Sequence, residues 1–186
     1  MANWNFSDDD PFTLRRAEIA DLDAIMALER RPGYEALVGR SSRAEHEDRL
    51  ALPRNAYLLG FLESENPLGF AILRNLDNAH GNLYLQRVAV DAPGRGRGTR
   101  FLAAVIDWAF AETQAHRFHL DCFVDNFRAR RVYEKLGLTH DGILREAYLA
   151  PEGTRRDLAL MAITRPEWKA RRGAASPSAT GRHAVP

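Results

Sequence analysis

The alternation of apolar and polar positions predicts strands separated by helices along most of the chain. Runs of β-branched and large apolar residues are typical of strands. Such runs occur at residues 12–16, 56–63, 68–76, 83–90, 117–124, 143–149 and 156–164. Apolar residues at intervals of three and four indicate helices at residues 19–28, 43–52 and 99–113, and after residue 126. The predicted order is β-α-α-β-β-β-α-β-α-β-β, which is typical of a three-layer α/β or α+β domain.

The two later helices each have one apolar face. The first face consists of residues at helical spacing: Phe101, Leu102, Val105, Ile106, Ala109 and Phe110. The second contains residues at i, i+3, i+4 and i+7: Ala129, Val132, Tyr133 and Leu136. We expect Asp125 or Asn126 to cap the start of this second helix and Gly137 to end it.

Length and composition favour one intracellular domain. The chain has 186 residues, of which 45% are hydrophobic, and a formal net charge of +1. We place the domain at residues 12–168, with a flexible leader at 1–11 and a disordered tail at 169–186. The near-neutral charge argues against nucleic-acid and membrane partners. A polar, acidic start and a single cysteine, Cys122, fit a cytoplasmic protein, and the six histidines show no metal-ligand spacing.

A glycine-rich turn joins the strand at 83–90 to the helix at 99–113. Residues 91–98 contain one proline and three glycines, so the strand cannot continue through them. A strand, a glycine turn and a helix together form a phosphate site, because the first N–H groups of a helix are unpaired and its dipole favours an anion. Arg95, Arg97 and Arg100 add positive charge there. An ordinary loop with surface arginines is the less favoured interpretation, and neither a P-loop nor a dinucleotide fingerprint fits the spacing.

Two motifs carry a resemblance to the GNAT N-acetyltransferases. The turn resembles the acetyl-CoA pyrophosphate loop of that family, with the Gly-x-Gly element at Gly96-Arg97-Gly98 and a loop about two residues shorter than usual. The segment from Asn126 to Leu138 resembles the family's Asn-x-x-Ala-x-x-x-Tyr-x-x-x-Gly-Phe motif, with Leu138 in place of the aromatic residue. The resemblance implies a three-layer fold with a mixed, mostly antiparallel sheet and helices on both faces.

The resemblance also implies which residues hold acetyl-CoA. Asn126 would bind the pantetheine arm. The other implied contacts are backbone groups of the central strand and residues of the turn: Arg87, Val88, Ala89, Val90, Arg95, Gly96, Arg97, Gly98, Thr99 and Arg100. Tyr133 is the implied acid, because a phenol with a pKa of about 10 stays protonated at neutral pH and can donate its proton to the leaving thiolate, whose thiol has a pKa of about 8.5. The alternative for Tyr133 is a purely structural place on the apolar face of its helix.

The general base and the acceptor stay open at this point. Four carboxylates are candidate bases: Glu29, Glu63, Asp121 and Glu146. We expect deprotonation through water, and we expect Cys122 to be a buried residue and not a nucleophile.

The acceptor would be an amine, either a protein N-terminus or a small molecule. The C-terminal strand and Arg165-Pro166-Glu167-Trp168 resemble the branch that contains ribosomal-protein N-terminal acetyltransferases. A homodimer is possible. The alternative function is a CoA-binding sensor module without turnover, and RNA binding is disfavoured because no aromatic residues are interleaved with the arginines.

Overall fold

The computed structural model describes residues 12–62, 66–91 and 96–175. Its strands are β1 (Phe12–Arg16), β2 (Asn55–Leu62), β3 (Gly69–Arg74), β4 (Asn82–Val90), β5 (Arg117–Phe123), β6 (Thr139–Leu149) and β7 (Arg155–Thr164). Its α-helices are α1 (Leu22–Glu29), α2 (Arg43–Leu50), α3 (Arg97–Glu112), α4 (Phe127–Lys135) and α5 (Arg165–Ala175), and a 3₁₀ turn (Ile19–Asp21) precedes α1. Among these described helices, none has the length and apolar character needed to cross a membrane.

The strands form one sheet in the order β1-β2-β3-β4-β5-β7-β6. Both predicted hairpins are confirmed, since β2 pairs antiparallel with β3 and β6 pairs antiparallel with β7. Every neighbouring pair is antiparallel except β4 and β5, which are parallel because α3 connects them across one face of the sheet. The predicted mixed, mostly antiparallel fold with helices on both faces is therefore confirmed.

The sheet separates two hydrophobic clusters. On one face, Phe101, Val105 and Phe110 of α3 pack with Phe118 of β5 and Tyr133 of α4. On the opposite face, residues of α1 pack against β2 and β3, and this cluster includes Leu22, Ile25, Tyr57, Phe70 and Ile72. The apolar faces predicted for α3 and α4 are thus the surfaces that cover the first side of the sheet.

The parallel pair β4–β5 opens partway along its length. Its register runs only from Asn82–Arg117 to Leu85–Leu120, although β4 continues to Val90 and β5 to Phe123. The opening begins next to a β-bulge, because Leu85 faces Leu73 and Arg87 faces Ile72, which leaves Gln86 as the extra residue. A bulge bends and twists its strand and interrupts pairing. Gln86 therefore marks the point at which the two strands separate.

The C-terminal end corrects the sequence prediction. We expected a disordered tail from Lys169, but α5 continues to Ala175, so that prediction is wrong for residues 169–175. Trp168 explains the helix: its ring lies 5.1 Å from that of Phe110, and its Nε1 donates a hydrogen bond of 2.6 Å to Asp107 of α3. The Ala- and Gly-rich composition of the segment from Lys169 onward gives no indication of this contact between Trp168 and α3. The predicted leader and residues 176–186 lie outside the described residues.

We predict that Arg165→Ala destabilises the protein measurably. The Arg165 guanidinium donates hydrogen bonds of 2.7, 2.9 and 2.8 Å to the carbonyl oxygens of Phe110, Thr113 and Ala115, which end and follow α3. Their loss should lower the free energy of unfolding by about 2 kcal/mol, or Tm by about 4–8 °C. Thermal denaturation measures this change.

Arg172→Ala is the matched control: its side chain is 57% exposed in an ion pair with Asp107, so Tm should barely change. Equal shifts for both variants would contradict this role of Arg165.

Candidate active site

The first part of the candidate site is the open edge of β4. Residues Arg87 to Val90 pair with Ile72 to Gly69 of β3 on one side. On the other side the described pairing with β5 ends at Leu85, so backbone groups beyond it have no strand partner there. Unpaired backbone groups need water or a ligand. The edge is thus able to bind an extended polar chain between β4 and β5.

The second part is the N-terminus of α3. The helix begins at Arg97, two residues before the predicted start, and Gly96 is its N-cap with a φ of 74°. A glycine offers no side-chain cap, and the first turn contains no acidic residue. By contrast, Ser42 and Asn126 cap α2 and α4 through their side chains. The first N–H groups of α3 therefore keep their capacity for an anion.

These two parts lie next to each other. A Cβ placed on Gly98 would stand 3.5 Å from Cγ2 of Val90, the last residue of β4. The structure thus places Gly98, in the first turn of α3 between Arg97 and Thr99, next to the end of the open edge. The Arg100 guanidinium lies 5.4 Å from the ring centroid of Phe12 in β1. Arg95, also predicted to bind the cofactor, lies outside the described residues.

Tyr133 lies beneath the opening, on the face covered by α3 and α4. It is 8% exposed and belongs to the hydrophobic cluster on that side. Burial raises the pKa of its hydroxyl above the ordinary value, and the nearby Cys122 and Asp121 raise it further. Both of these neighbours follow Leu120, where the β4–β5 pairing ends. Tyr133 is therefore protonated at neutral pH, close to the point where the strands part.

Asn126 has the structural role that its sequence position predicted. Its Oδ1 accepts a hydrogen bond of 3.2 Å from the Ala129 N–H and so caps α4. Nearby, the Arg130 guanidinium donates to the carbonyl oxygen of Val124 at 3.1 Å. The cap uses only the oxygen of the Asn126 amide, so the side-chain NH₂ group can still donate to a ligand.

The four candidate bases lie in different environments. Glu29 is completely buried and forms an ion pair with Arg87. Glu146 is exposed on β6, which β7 separates from β5, and Glu63 lies outside the described residues. Asp121 alone of the three described candidates lies at the opening, since it directly follows Leu120. The geometry therefore favours Asp121.

Asp121 belongs to a polar cluster that the sequence analysis missed. Tyr84 of β4 donates a hydrogen bond of 2.8 Å to Asp121 Oδ2, and its ring stacks on His119 with centroids 5.2 Å apart. Burial, and then the charge of Arg117, lower the pKa of His119, so its imidazole is neutral at pH 7. Its Nδ1 is buried without a hydrogen-bond partner among the described residues. The i, i+2 spacing of His119 and Asp121 was the available signal, but Tyr84 reaches them only through the β4–β5 pairing.

Cys122 has the environment expected of a structural residue. It is half-buried on β5, and its side chain packs against the cluster that contains Tyr133. Burial raises the pKa of its thiol to about 11. Because a thiolate is the reactive form, Cys122 is unsuited to carry an acyl group at neutral pH.

Comparison with known proteins identifies the family and the fold. The model of the acetyltransferase (GNAT) family matches residues 22–138. Similar solved structures include a mutant of the Vibrio cholerae spermidine N-acetyltransferase, with 20% identity, a TM-score of 0.75, and 87% of this chain and 98% of that chain covered. The same enzyme in complex with CoA and spermine has 20% identity and a TM-score of 0.75, covering 85% and 98%. Its dodecameric structure in an intermediate state has 20% identity and a TM-score of 0.73, covering 86% and 97%.

We predict opposite effects of alanine at two glycines of the α3 N-terminus. Gly96 has a positive φ, so Gly96→Ala should cost about 1 kcal/mol and lower Tm by about 2–4 °C. Gly98 lies inside the helix, and its added Cβ would make only ordinary contact with Val90. Gly98→Ala should therefore leave Tm unchanged or raise it slightly. Thermal denaturation of the ligand-free variants measures both effects, and a larger loss in Gly98→Ala would contradict this geometry.

Proposed function

The chain belongs to the acetyltransferase (GNAT) family, whose members transfer an acetyl group from acetyl-CoA to an amine, and we propose that a primary amine attacks directly at the β4–β5 opening. The observation that carries this proposal is the end of the β4–β5 pairing at Leu85–Leu120. Tyr133 lies on one face of the sheet at this point, and Asp121 directly follows Leu120 and is close enough to raise the pKa of Tyr133. An acid and a base thus flank one opening.

The residues present fit acetyl-CoA. The uncapped first turn of α3, with the backbone N–H groups of Arg97, Gly98 and Thr99, suits a diphosphate. The open edge from Arg87 to Val90 suits the amide groups of the pantetheine arm, and the NH₂ group of Asn126, which the α4 cap does not use, offers a further donor. Acetyl-CoA supplies an activated acyl carbon and a thiolate leaving group. A β4 N–H near Val88 or Val90 would stabilise the developing oxyanion, an effect typically worth about 3 kcal/mol.

Tyr133 is the proposed general acid. Its buried hydroxyl keeps its proton at neutral pH because its pKa is raised. Transfer of that proton to a leaving thiolate is favourable only when the tyrosinate is stabilised or rapidly reprotonated. The partly buried Asp121 would disfavour a lasting tyrosinate, so we expect Tyr133 to regain its proton within each turnover.

Asp121 is the proposed general base. An amine with a pKa of about 10 is cationic at neutral pH and must lose a proton before it attacks. The Asp121 carboxylate would attract this ammonium group and receive its proton, while the hydrogen bond from Tyr84 fixes one carboxylate oxygen. The proton would reach Asp121 through a water molecule, as the sequence led us to expect.

Two acceptor classes fit this site. The fold that the chain shares with a structure containing CoA and spermine supports a small polyamine. The C-terminal resemblance to ribosomal-protein N-terminal acetyltransferases supports a protein N-terminus. Thiol release from acetyl-CoA in the presence of spermidine, spermine or a peptide with a free N-terminus separates the classes. The dodecameric state of one structural neighbour supports self-association of this chain as well.

We predict that Tyr133→Phe and Asp121→Asn each lower kcat by about 10²-fold or more, the usual size of a general acid or base contribution. The dissociation constant of acetyl-CoA should change little, because neither side chain belongs to the diphosphate site. Steady-state kinetics with the best acceptor and calorimetry with acetyl-CoA measure the two quantities. Tyr148→Phe is the matched control, since it also removes one hydroxyl, from a 37% exposed tyrosine on β6. Full activity of Tyr133→Phe would refute its assignment as the acid.

A further inference from the structure

A buried polar network lies on the face of the sheet opposite Tyr133. Its centre is Glu29, the last residue of α1, which is 0% exposed. The Glu29 carboxylate accepts hydrogen bonds from Arg87 Nη1, from His46 Nε2 at 3.2 Å and from the Ser41 N–H at 3.3 Å. His46 is also 0% exposed, and its Nδ1 lies 3.0 Å from the Tyr57 hydroxyl. One carboxylate therefore gathers groups from α1, the α1–α2 loop, α2 and β4.

The hydrogen bonds of this network can be ordered in one direction. Arg49 Nη1 donates to the Tyr57 hydroxyl at 3.2 Å, so the Tyr57 hydrogen is available to His46 Nδ1. His46 then donates its Nε2–H to Glu29, an assignment that follows from the partners. Burial alone would raise the pKa of Glu29, but the hydrogen bond from His46 and the charge of Arg87 outweigh it, so the pKa lies below its usual value. Glu29 is thus ionised at neutral pH and paired with Arg87, and Arg30 Nη1 lies 3.6 Å from its Oε2 as a second cation.

Stability alone is a weak reason for such a pair. A buried ion pair loses so much hydration that apolar residues of similar size are often equally stabilising. This pair instead connects three separate segments. Ser41 Oγ and the backbone of Gly39 both lie against the Arg87 guanidinium, where a Cβ on Gly39 would stand 2.8 Å from Nη2. The α1–α2 loop is therefore fitted to the side chain of Arg87.

Arg87 occupies the position on β4 that most needs an anchor. It directly follows the bulge at Gln86, and from there to Val90 the strand is paired with β3 only. A second contact from the same loop lies at the strand's end, where the Tyr34 hydroxyl donates to the Val90 carbonyl oxygen at 2.7 Å. Both ends of the open edge are thus held from the α1–α2 side.

We infer that Glu29 is a positioning residue: through its ion pair with Arg87 it holds the open edge of β4 in the place where that edge meets the acyl thioester. This inference rests on the proposed binding of the pantetheine arm to β4. Because Glu29 is completely buried, it would touch neither substrate, and its link to the open edge runs through Arg87. Its removal should therefore affect kcat, while the diphosphate site at α3 keeps its affinity for acetyl-CoA.

Two variants separate positioning from stability. Glu29→Gln leaves the Arg87 cation buried without its counter-ion, so Tm should fall. Glu29→Gln/Arg87→Met removes both charges, so Tm should largely recover. If Glu29 positions the strand, amide hydrogen exchange of residues 86–91 should be about tenfold faster in both ligand-free variants, because each lacks the anchor. With an active acceptor, kcat should fall about tenfold in both, while the dissociation constant of acetyl-CoA changes less than about threefold.

Asp23→Asn is the matched control. Asp23 forms an ion pair of 2.7 Å with Arg43 that also joins α1 to α2, but it is 84% exposed, so exchange, Tm and kcat should stay at wild-type values. The inference would be overturned if the exchange rate of residues 86–91 and kcat returned to wild-type values together with Tm in the double variant. It would also be overturned if these residues exchanged at the wild-type rate in Glu29→Gln. Protection of residues 86–91 by acetyl-CoA in the wild-type protein tests the proposed function separately. Its absence would refute the cofactor placement, while exchange in the ligand-free variants still decides the role of Glu29.

Discussion

The pairing of β4 with β5 ends at Leu85–Leu120, before either strand does, and the candidate site surrounds this opening. Parallel strands normally satisfy each other's backbone groups, but here the bulge at Gln86 turns β4 away from β5 beyond Leu85–Leu120. The unpaired backbone N–H and C=O groups of β4 need another polar partner, and they form a binding edge inside an otherwise continuous sheet. Two neighbouring helices lie at this edge. The N-terminus of α3, which has no side-chain cap, lies at the end of the edge, and α4 places Tyr133 on the face beneath the edge.

Local features of this arrangement could be predicted from the sequence because they arise from nearby residues. The change from a strand pattern to helical spacing around Gly96 and Gly98 placed both β4 and α3 within two residues of their observed bounds. Asn126 and Gly137 likewise mark the ends of α4, through a side-chain cap and a φ of 90°. Cys122 is half-buried on β5 against the apolar cluster, a position that the apolar strand pattern around it predicted in part.

The remaining features depend on contacts between distant parts of the chain. Tyr84 meets Asp121 only because β4 and β5 are parallel neighbours in a particular register. Glu29 looked like any other carboxylate in the sequence, although the fold buries it against Arg87. The helix α5 depends on Trp168 reaching α3, which no local pattern records. The sequence thus predicted the position of the proposed cofactor site, but the candidate base and the proposed anchor of β4 could be identified only from the tertiary structure.

We propose that the open β4 edge and the α3 N-terminus together bind acetyl-CoA. Isothermal titration of the full chain with acetyl-CoA and, separately, with NAD would measure this binding. NAD also carries a diphosphate and an adenosine, but it lacks the pantetheine arm that the edge between Arg87 and Val90 would hold. Acetyl-CoA should therefore bind clearly more tightly than NAD. Binding of NAD with no detectable binding of acetyl-CoA would contradict it.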